Sequence, residues 1–218
     1  MIKENGFYHQ IVKPKNIDEI FAKLPGSVQA HCKRTGNLMR KLLVEIGREK
    51  IENNWIWEGR SPLDYHDIGK AWLDPCLALK VEPMSEEDNR KLRAHVNVCI
   101  HFFDEMFNLP DTPVERKIFN SIARDISYYH HENWDGGGYP EGLEKTDIPL
   151  GARICAVADA FDHLTMHGIY IDQNDKKVLK ELYTIAFSVV ENSSGSKFDP
   201  EIVEALGNII KNGRLYEG

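Results

Sequence analysis

Residues 112–140 read TPVERKIFNSIARDISYYHHENWDGGGYP. Thr112 and Pro113 place a capping hydroxyl and a first-position proline ahead of Val114, with Glu115 as an early carboxylate. Val114, Ile118, Ile122 and Ile126 then recur every fourth residue, the spacing of one helix face. The expected helix ends in His130-His131-Glu132, three candidate ligands in a row, and runs into Trp134-Asp135-Gly136-Gly137-Gly138-Tyr139-Pro140. Imidazole is the commonest ligand of borderline transition metals, and glycine lets a backbone come close to whatever is bound. Three ligands ahead of three glycines are uneconomical for packing alone. The run therefore reads as a metal- or ligand-binding turn rather than as a polar helix end.

The same helical signals extend to both sides. Ser61-Pro62 places a cap before Leu63 and the His66-Asp67 pair, and Ser85 with Asp88 is a capping box expected to open a segment running to about Phe107. Pro149 opens a segment carrying Ile154, Val157, Ala158, Phe161 and Leu164. Asp199-Pro200 caps a last helix with Ile202, Val203, Leu206 and Ile210, stopped by Asn212-Gly213. Val28 to about Arg48 bears Leu38, Leu42, Leu43 and Ile46 on one broad face. Trp55-Ile56-Trp57 is too short to make a sheet, and 133–150 and 192–199 read as loops. The expectation is an all-α fold, a compact helical bundle, with one domain over 27–218 and residues 1–26 as an N-terminal extension.

Composition narrows the partners. The 218 residues carry 27 Lys+Arg against 34 Asp+Glu, a formal charge of −7, with 42% hydrophobic and 28% charged residues. That is globular composition, and its acidity disfavours nucleic-acid polymers, which are held by Lys and Arg. An anionic substrate needs local neutralisation, which metal ions supply. No apolar run reaches the ~20 residues of a membrane span. Cys32, Cys76, Cys99 and Cys155 form no CxxC pair and read as reduced thiols of a cytoplasmic protein.

Further ligand types sit on separate helices. His66-Asp67, followed by Gly69-Lys70, by itself reads equally as a site fragment or as a helix end stopped by Gly69 with Lys70 on its dipole. His31 lies in the first long helix beside Cys32, Arg34 and Thr35, and His95 lies beyond the Ser85 cap. Asp159 interrupts the apolar run Ile154 to Phe161, where an unpaired carboxylate is costly. Together His31, His66, Asp67, His95, His130, His131 and Asp159 supply five imidazoles and two carboxylates. That set suits two ions of the Fe, Mn or Zn type sharing one carboxylate, and does not suit Mg or Ca, which prefer oxygen shells.

At these residues the chain resembles the HD-GYP domain, the branch of the HD metal-dependent phosphohydrolases that hydrolyses cyclic di-GMP. The matching motifs are HDIGK at 66–70, HHENWDGGGYP at 130–140, VADAFDHLT at 157–165 and GSKFDP at 195–200. The resemblance covers about residues 27 to 210 and implies a metal site built from several helices. It places one ion on His31, His66, Asp67 and Asp159, and a second, bridged by Asp67, on His95, His130 and His131. It implies iron as the usual metal, manganese as the alternative, and a metal-activated hydroxide attacking a cyclic dinucleotide. Lys70 and Asp67 become the catalytic residues. Lys70, Asp135, Gly136, Gly138 and Tyr170 become the substrate wall, to which His163 is added as a candidate of this sequence's own, and the GYP loop a place where a signalling partner docks.

Departures from the family pattern bear on activity. Ser27 stands where some relatives hold a third metal with glutamate, so two ions are expected. Gly168-Ile169-Tyr170-Ile171 replaces a stretch in which an arginine and a lysine hold substrate phosphate; only Tyr170 survives. His163 replaces an alanine, with His167 one turn later; these imidazoles either stand in for the lost cations or sit exposed at a helix end. Arg60, in an unusual approach to the first motif, either reaches the pocket or belongs to a shortened helix. Two other readings share the ligand pattern: a degenerate domain that binds metal and a cyclic dinucleotide or protein without turnover, and an HD-type di-iron oxygenase.

Overall fold

Ten α-helices are found among the residues that the computed structural model describes, 16–79, 84–107, 109–166 and 175–216. They are α1 (Ile17–Phe21), α2 (Gly26–Glu45), α3 (Glu49–Asn53), α4 (Pro75–Ala78), α5 (Glu86–Arg93), α6 (His95–Phe107), α7 (Val114–Tyr129), α8 (Leu150–Met166), α9 (Lys176–Glu191) and α10 (Pro200–Lys211). Short 3-10 turns at Pro62–Asp64 and Ile68–Trp72 link α3 to α4. The described residues form isolated bridges but no strand, as an all-α reading requires.

Two apolar clusters organise these helices. The larger joins α2, α8, α9 and α10 through Met39, Leu42, Ile154, Val157, Val190 and Ile202. The smaller joins α1, α6, α7 and the 68–72 turn through Ile17, Ile20, Ile68, Phe103 and Phe119. Burying one such side chain contributes roughly 1.5–3 kcal/mol. α2 and α8 belong to the first cluster, α6 to the second, and α7 to both through Ile126 and Phe119, so residues donated by all four helices converge where the clusters meet.

Several sequence signals resolve differently in three dimensions. Ile17 is 0% and Ile20 2% exposed, so α1 packs against α6, α7 and the 68–72 turn. The helix expected from Ser85 to Phe107 is broken at Ala94, although the Ser85–Asp88 capping box forms. The break lets the His95 ring return to the Leu92 carbonyl left open at the end of α5. Thr112 does not cap α7: its hydroxyl donates to Leu109 O, and Pro113 takes the cap position without a side-chain bond. Ser61 caps only a 3-10 turn, whereas Asp199 caps α10 by accepting from Glu201 N.

Candidate metal centre

His31 comes from the buried face of α2, and His66 and Asp67 from the link between the two 3-10 turns. His95 opens α6, His130 and His131 follow the last turn of α7, and Asp159, Asp162 and His163 lie on successive turns of α8. Gly69 makes the joint between two of these elements. A Cβ on it would lie 2.0 Å from the His95 carbonyl oxygen, so only glycine lets the turn carrying Asp67 rest on the start of α6.

Asp67 is the centre of the cluster. Its Oδ2 lies 3.5 Å from His66 Nε2, 3.7 Å from His31 Nε2 and 2.5 Å from Lys70 Nζ. Its Oδ1 faces the other way, 3.4 Å from His95 Nε2 and 3.9 Å from His130 Nε2. One carboxylate thus addresses two groups of imidazoles with its two oxygens. Asp159 Oδ1 adds to the first group, 3.0 Å from His31 Nε2 and 3.7 Å from His66 Nε2. In the second, donor atoms of His95, His130 and His131 all lie within 4.8 Å of one another, and the same holds for His31, His66 and Asp67.

The ring nitrogens are set by their outer partners. His95 Nδ1 meets Leu92 O at 2.6 Å, and His130 Nδ1 meets Ile126 O and Ser127 O, both at 3.1 Å. A carbonyl can only accept, so each Nδ1 carries the proton and each Nε2 presents a lone pair to the cluster. Both Nε2 atoms are buried without a hydrogen-bond partner. Leaving such groups unmatched costs ~1–3 kcal/mol each, and lone pairs facing the Asp67 carboxylate repel it unless a cation lies between them. The donor set therefore fits divalent ions of the imidazole- and carboxylate-binding kind.

Electrostatics agree. Burial lowers His95 to about 4 and His130 to about 3, and it holds His131 well below its ordinary value, so these rings stay neutral at pH 7. Burial opposes charge on His31 as well, but Asp159 and Asp162 outweigh it and raise this ring to about 9. Burial likewise opposes ionisation of Asp67, yet the Lys70 ammonium beside it holds its carboxyl well below the usual range. The His31 half of the cluster thus attracts positive charge, while the other half offers neutral donors.

Around the cluster lies a cavity of about 730 Å³ whose walls include Lys70, Arg93, His131, Gly138, Tyr139 and Lys197. Tyr139 stacks on His131 at 4.8 Å, and Arg93 lies 4.7 Å over the Tyr139 ring. The glycine loop is closed by Glu132 Oε1, which accepts from Glu141 N at 2.7 Å and Gly142 N at 3.1 Å. It is tied to the 193–198 turn by Trp134 N donating to Lys197 O and Asp135 N donating to Ser196 O. Gly138 is irreplaceable by the same steric argument as Gly69: a Cβ would lie 2.2 Å from Asn133 N.

Not every expected residue reaches the cavity. Gly138 and His163 line it, but Asp135 and Gly136 do not; Asp135 accepts from Gly137 N at 2.9 Å and shapes the turn instead. Arg60 turns elsewhere, onto Asp18 and Glu58. Tyr170, with 167–171 as a whole, lies outside the described residues. Sequence reasoning missed Asp162, which accepts from Arg34 Nε at 2.8 Å and Nη2 at 2.9 Å and holds His31 Nδ1 at 2.7 Å. Its three-residue spacing from Asp159 was the available signal. Arg93 carried no such signal, because it lies outside the matched motifs, and Lys197, although within GSKFDP at 195–200, is not a ligand type that marks a site.

A helical body that gathers buried histidines and aspartates from α2, α6, α7 and α8 defines an all-α protein with a metal-competent centre. The model of the HD domain matches residues 16–202, and the chain belongs to that family. It is 30% identical over 176 residues to a cyclic di-GMP phosphodiesterase of Thermotoga maritima, covering 81% of this chain and 43% of that protein. It is 29% identical over 178 residues to 3'3'-cGAMP-specific phosphodiesterase 2 of Vibrio cholerae, covering 81% of this chain and 30% of the relative. The chain thus spans less than half the length of these curated relatives. The HD domain of the L. monocytogenes phosphodiesterase PgpH, solved with cyclic-di-AMP, shares the fold with a TM-score of 0.57 at 14% identity, over 93% of this chain and 97% of that one.

Proposed function

We propose that this chain is a metal-dependent phosphodiesterase of the HD-GYP type, acting on cyclic di-GMP or a related cyclic dinucleotide. The observation that carries the reading is Asp67, whose two carboxylate oxygens face separate imidazole groups while Lys70 sits 2.5 Å away. In this reading His31, His66, Asp67 and Asp159 hold one ion, and Asp67, His95, His130 and His131 hold the other, with iron first and manganese second. When bound, such a pair lowers the pKa of a shared water and neutralises phosphate oxygens. The names of the two relatives support the substrate class. The free thiols at Cys32, Cys76, Cys99 and Cys155 suit a reducing cytoplasm, and no helix among the described residues is long and apolar enough to cross a membrane.

The chain's own residues supply the rest. Asp67 outweighs the burial that opposes charge on Lys70 and keeps the ammonium protonated, so Lys70 can meet charge developing on phosphate or deliver a proton to the leaving oxygen. Lys70→Met is expected to keep both ions but slow turnover about 10²- to 10³-fold, the scale for losing one such group; unchanged turnover removes Lys70 from the reaction. Arg93 and Lys197 sit on the cavity wall and offer the second phosphate of a cyclic dinucleotide the cations that Gly168 and Ile171 lack. Their alanine variants are each expected to raise KM about tenfold, with kcat nearly unchanged.

Cyclic di-GMP hydrolysis by anaerobically purified protein, with metal content measured on the same sample, tests the assignment. Turnover with about two Fe or Mn per chain supports it. Two metals with tight cyclic di-GMP binding and no turnover would instead support the binding-only reading, which the loss of cations at 168 and 171 favours.

A further inference from the structure

Asp159 Oδ1 has an imidazole on either side. His31 Nε2 lies 3.0 Å away and His163 Nδ1 also 3.0 Å away. The two rings meet edge to face with centroids 4.5 Å apart, and donor atoms of His31, Asp159 and His163 all lie within 4.8 Å of one another. α8 makes this possible: Asp159 and His163 are four residues apart and share a face. His163 lines both the large cavity and a second one of about 330 Å³ bounded by Ser27, His31 and Asp162. It stands beside the cluster where the two spaces come together.

We propose that His163 is an additional ligand of the ion held by His31, His66, Asp67 and Asp159. The proposal rests on the two-metal reading above and deepens it. A separate third ion is disfavoured, because His163 approaches the same Asp159 oxygen that His31 and His66 approach. The donor set changes from two nitrogens and two oxygens to three nitrogens and two oxygens. Added imidazole favours later, borderline ions such as Fe(II), Co(II) and Zn(II) over Mn(II). His163 Nδ1 also lies 3.0 Å from Asp159 O, so binding through this atom exchanges a ring proton for the ion. With 43% of its side chain exposed, His163 can be replaced without opening the core.

The test is equilibrium dialysis of chelator-stripped protein against Zn(II) and against Mn(II), alongside the Co(II) absorption spectrum of the reconstituted protein. Wild type is compared with His163→Ala and with His163→Gln, which keeps polar bulk without the imidazole; circular dichroism confirms that both fold. The expected result is two ions in wild type, and in both variants one ion weakened about 10- to 100-fold, the scale for disturbing a ligand shell. The loss is larger for Zn(II) than for Mn(II), and the Co(II) spectrum shifts. Unchanged affinities and spectrum in the variants overturn the proposal, as does a raised KM for cyclic di-GMP with unaltered metal binding, which makes His163 a substrate contact. In those outcomes the two-metal wild type still stands. A wild type that binds no metal overturns both readings.

Discussion

Asp67→Asn is expected to abolish hydrolysis, by more than about a thousandfold, and to lower bound metal from about two ions per chain to one or none. Asp67 is the residue whose two oxygens point to both halves of the cluster, so its charge is felt by both ion positions. The amide removes that charge and turns a donor group toward Lys70 or His95. Lys70 is then left buried beside a neutral neighbour, and each ion of the proposed pair loses its shared anion. Several kcal/mol of transition-state stabilisation depend on a correctly held metal pair, which is the scale of a thousandfold loss or more. Metal analysis and cyclic di-GMP turnover on one preparation decide it; a variant that keeps both defeats the assignment.

Gly69→Ala is expected to be the most damaging substitution of a residue with no chemistry of its own. The new methyl would lie 2.0 Å from His95 O and 2.8 Å from its carbonyl carbon, and backbone cannot yield as a flexible side chain does. The 68–72 turn and the start of α6 must separate, which moves Asp67 from His95. Overpacking typically costs ~1–3 kcal/mol, and a main-chain clash belongs at or above the top of that range. For a chain of this size that is a fall in Tm of roughly 6–12 °C. Metal binding at the His95 side should weaken with it. Gly26→Ala is the contrast: nothing lies within 4 Å of its Cβ position and the site opens a helix, so its Tm should hold or rise slightly. Thermal melts of the two variants make the comparison.

The helices were legible wherever local chemistry decides them. The Asp199-Pro200 cap, the Ser85–Asp88 box and the apolar spacing of α8 are set by neighbours within one or two turns. The prediction failed where a distant partner competes. α5 ends at Ala94 where the His95 ring turns back to the Leu92 carbonyl, and Thr112 gives its hydroxyl to Leu109 instead of capping α7. The packing of α1 was hidden because two apolar residues, Ile17 and Ile20, carry it, and their burial depends on Phe103 and Phe119 far along the chain.

For the site, the sequence by itself determined which residue types were available: the histidines and aspartates in HDIGK, HHE and VADAFDH, and the glycines that follow them. It also showed that Gly168 and Ile171 supply no phosphate cation. Only the tertiary structure decided how these groups are aimed. His31 and Asp162 are 131 residues apart yet meet at 2.7 Å, and the Leu92, Ile126 and Ser127 carbonyls choose the ring nitrogens that face Asp67. It likewise brought Arg93 and Lys197 to one cavity and set His163 against Asp159. Periodicity and capping act over a few residues, whereas the direction of a lone pair is set by partners that only packing brings together.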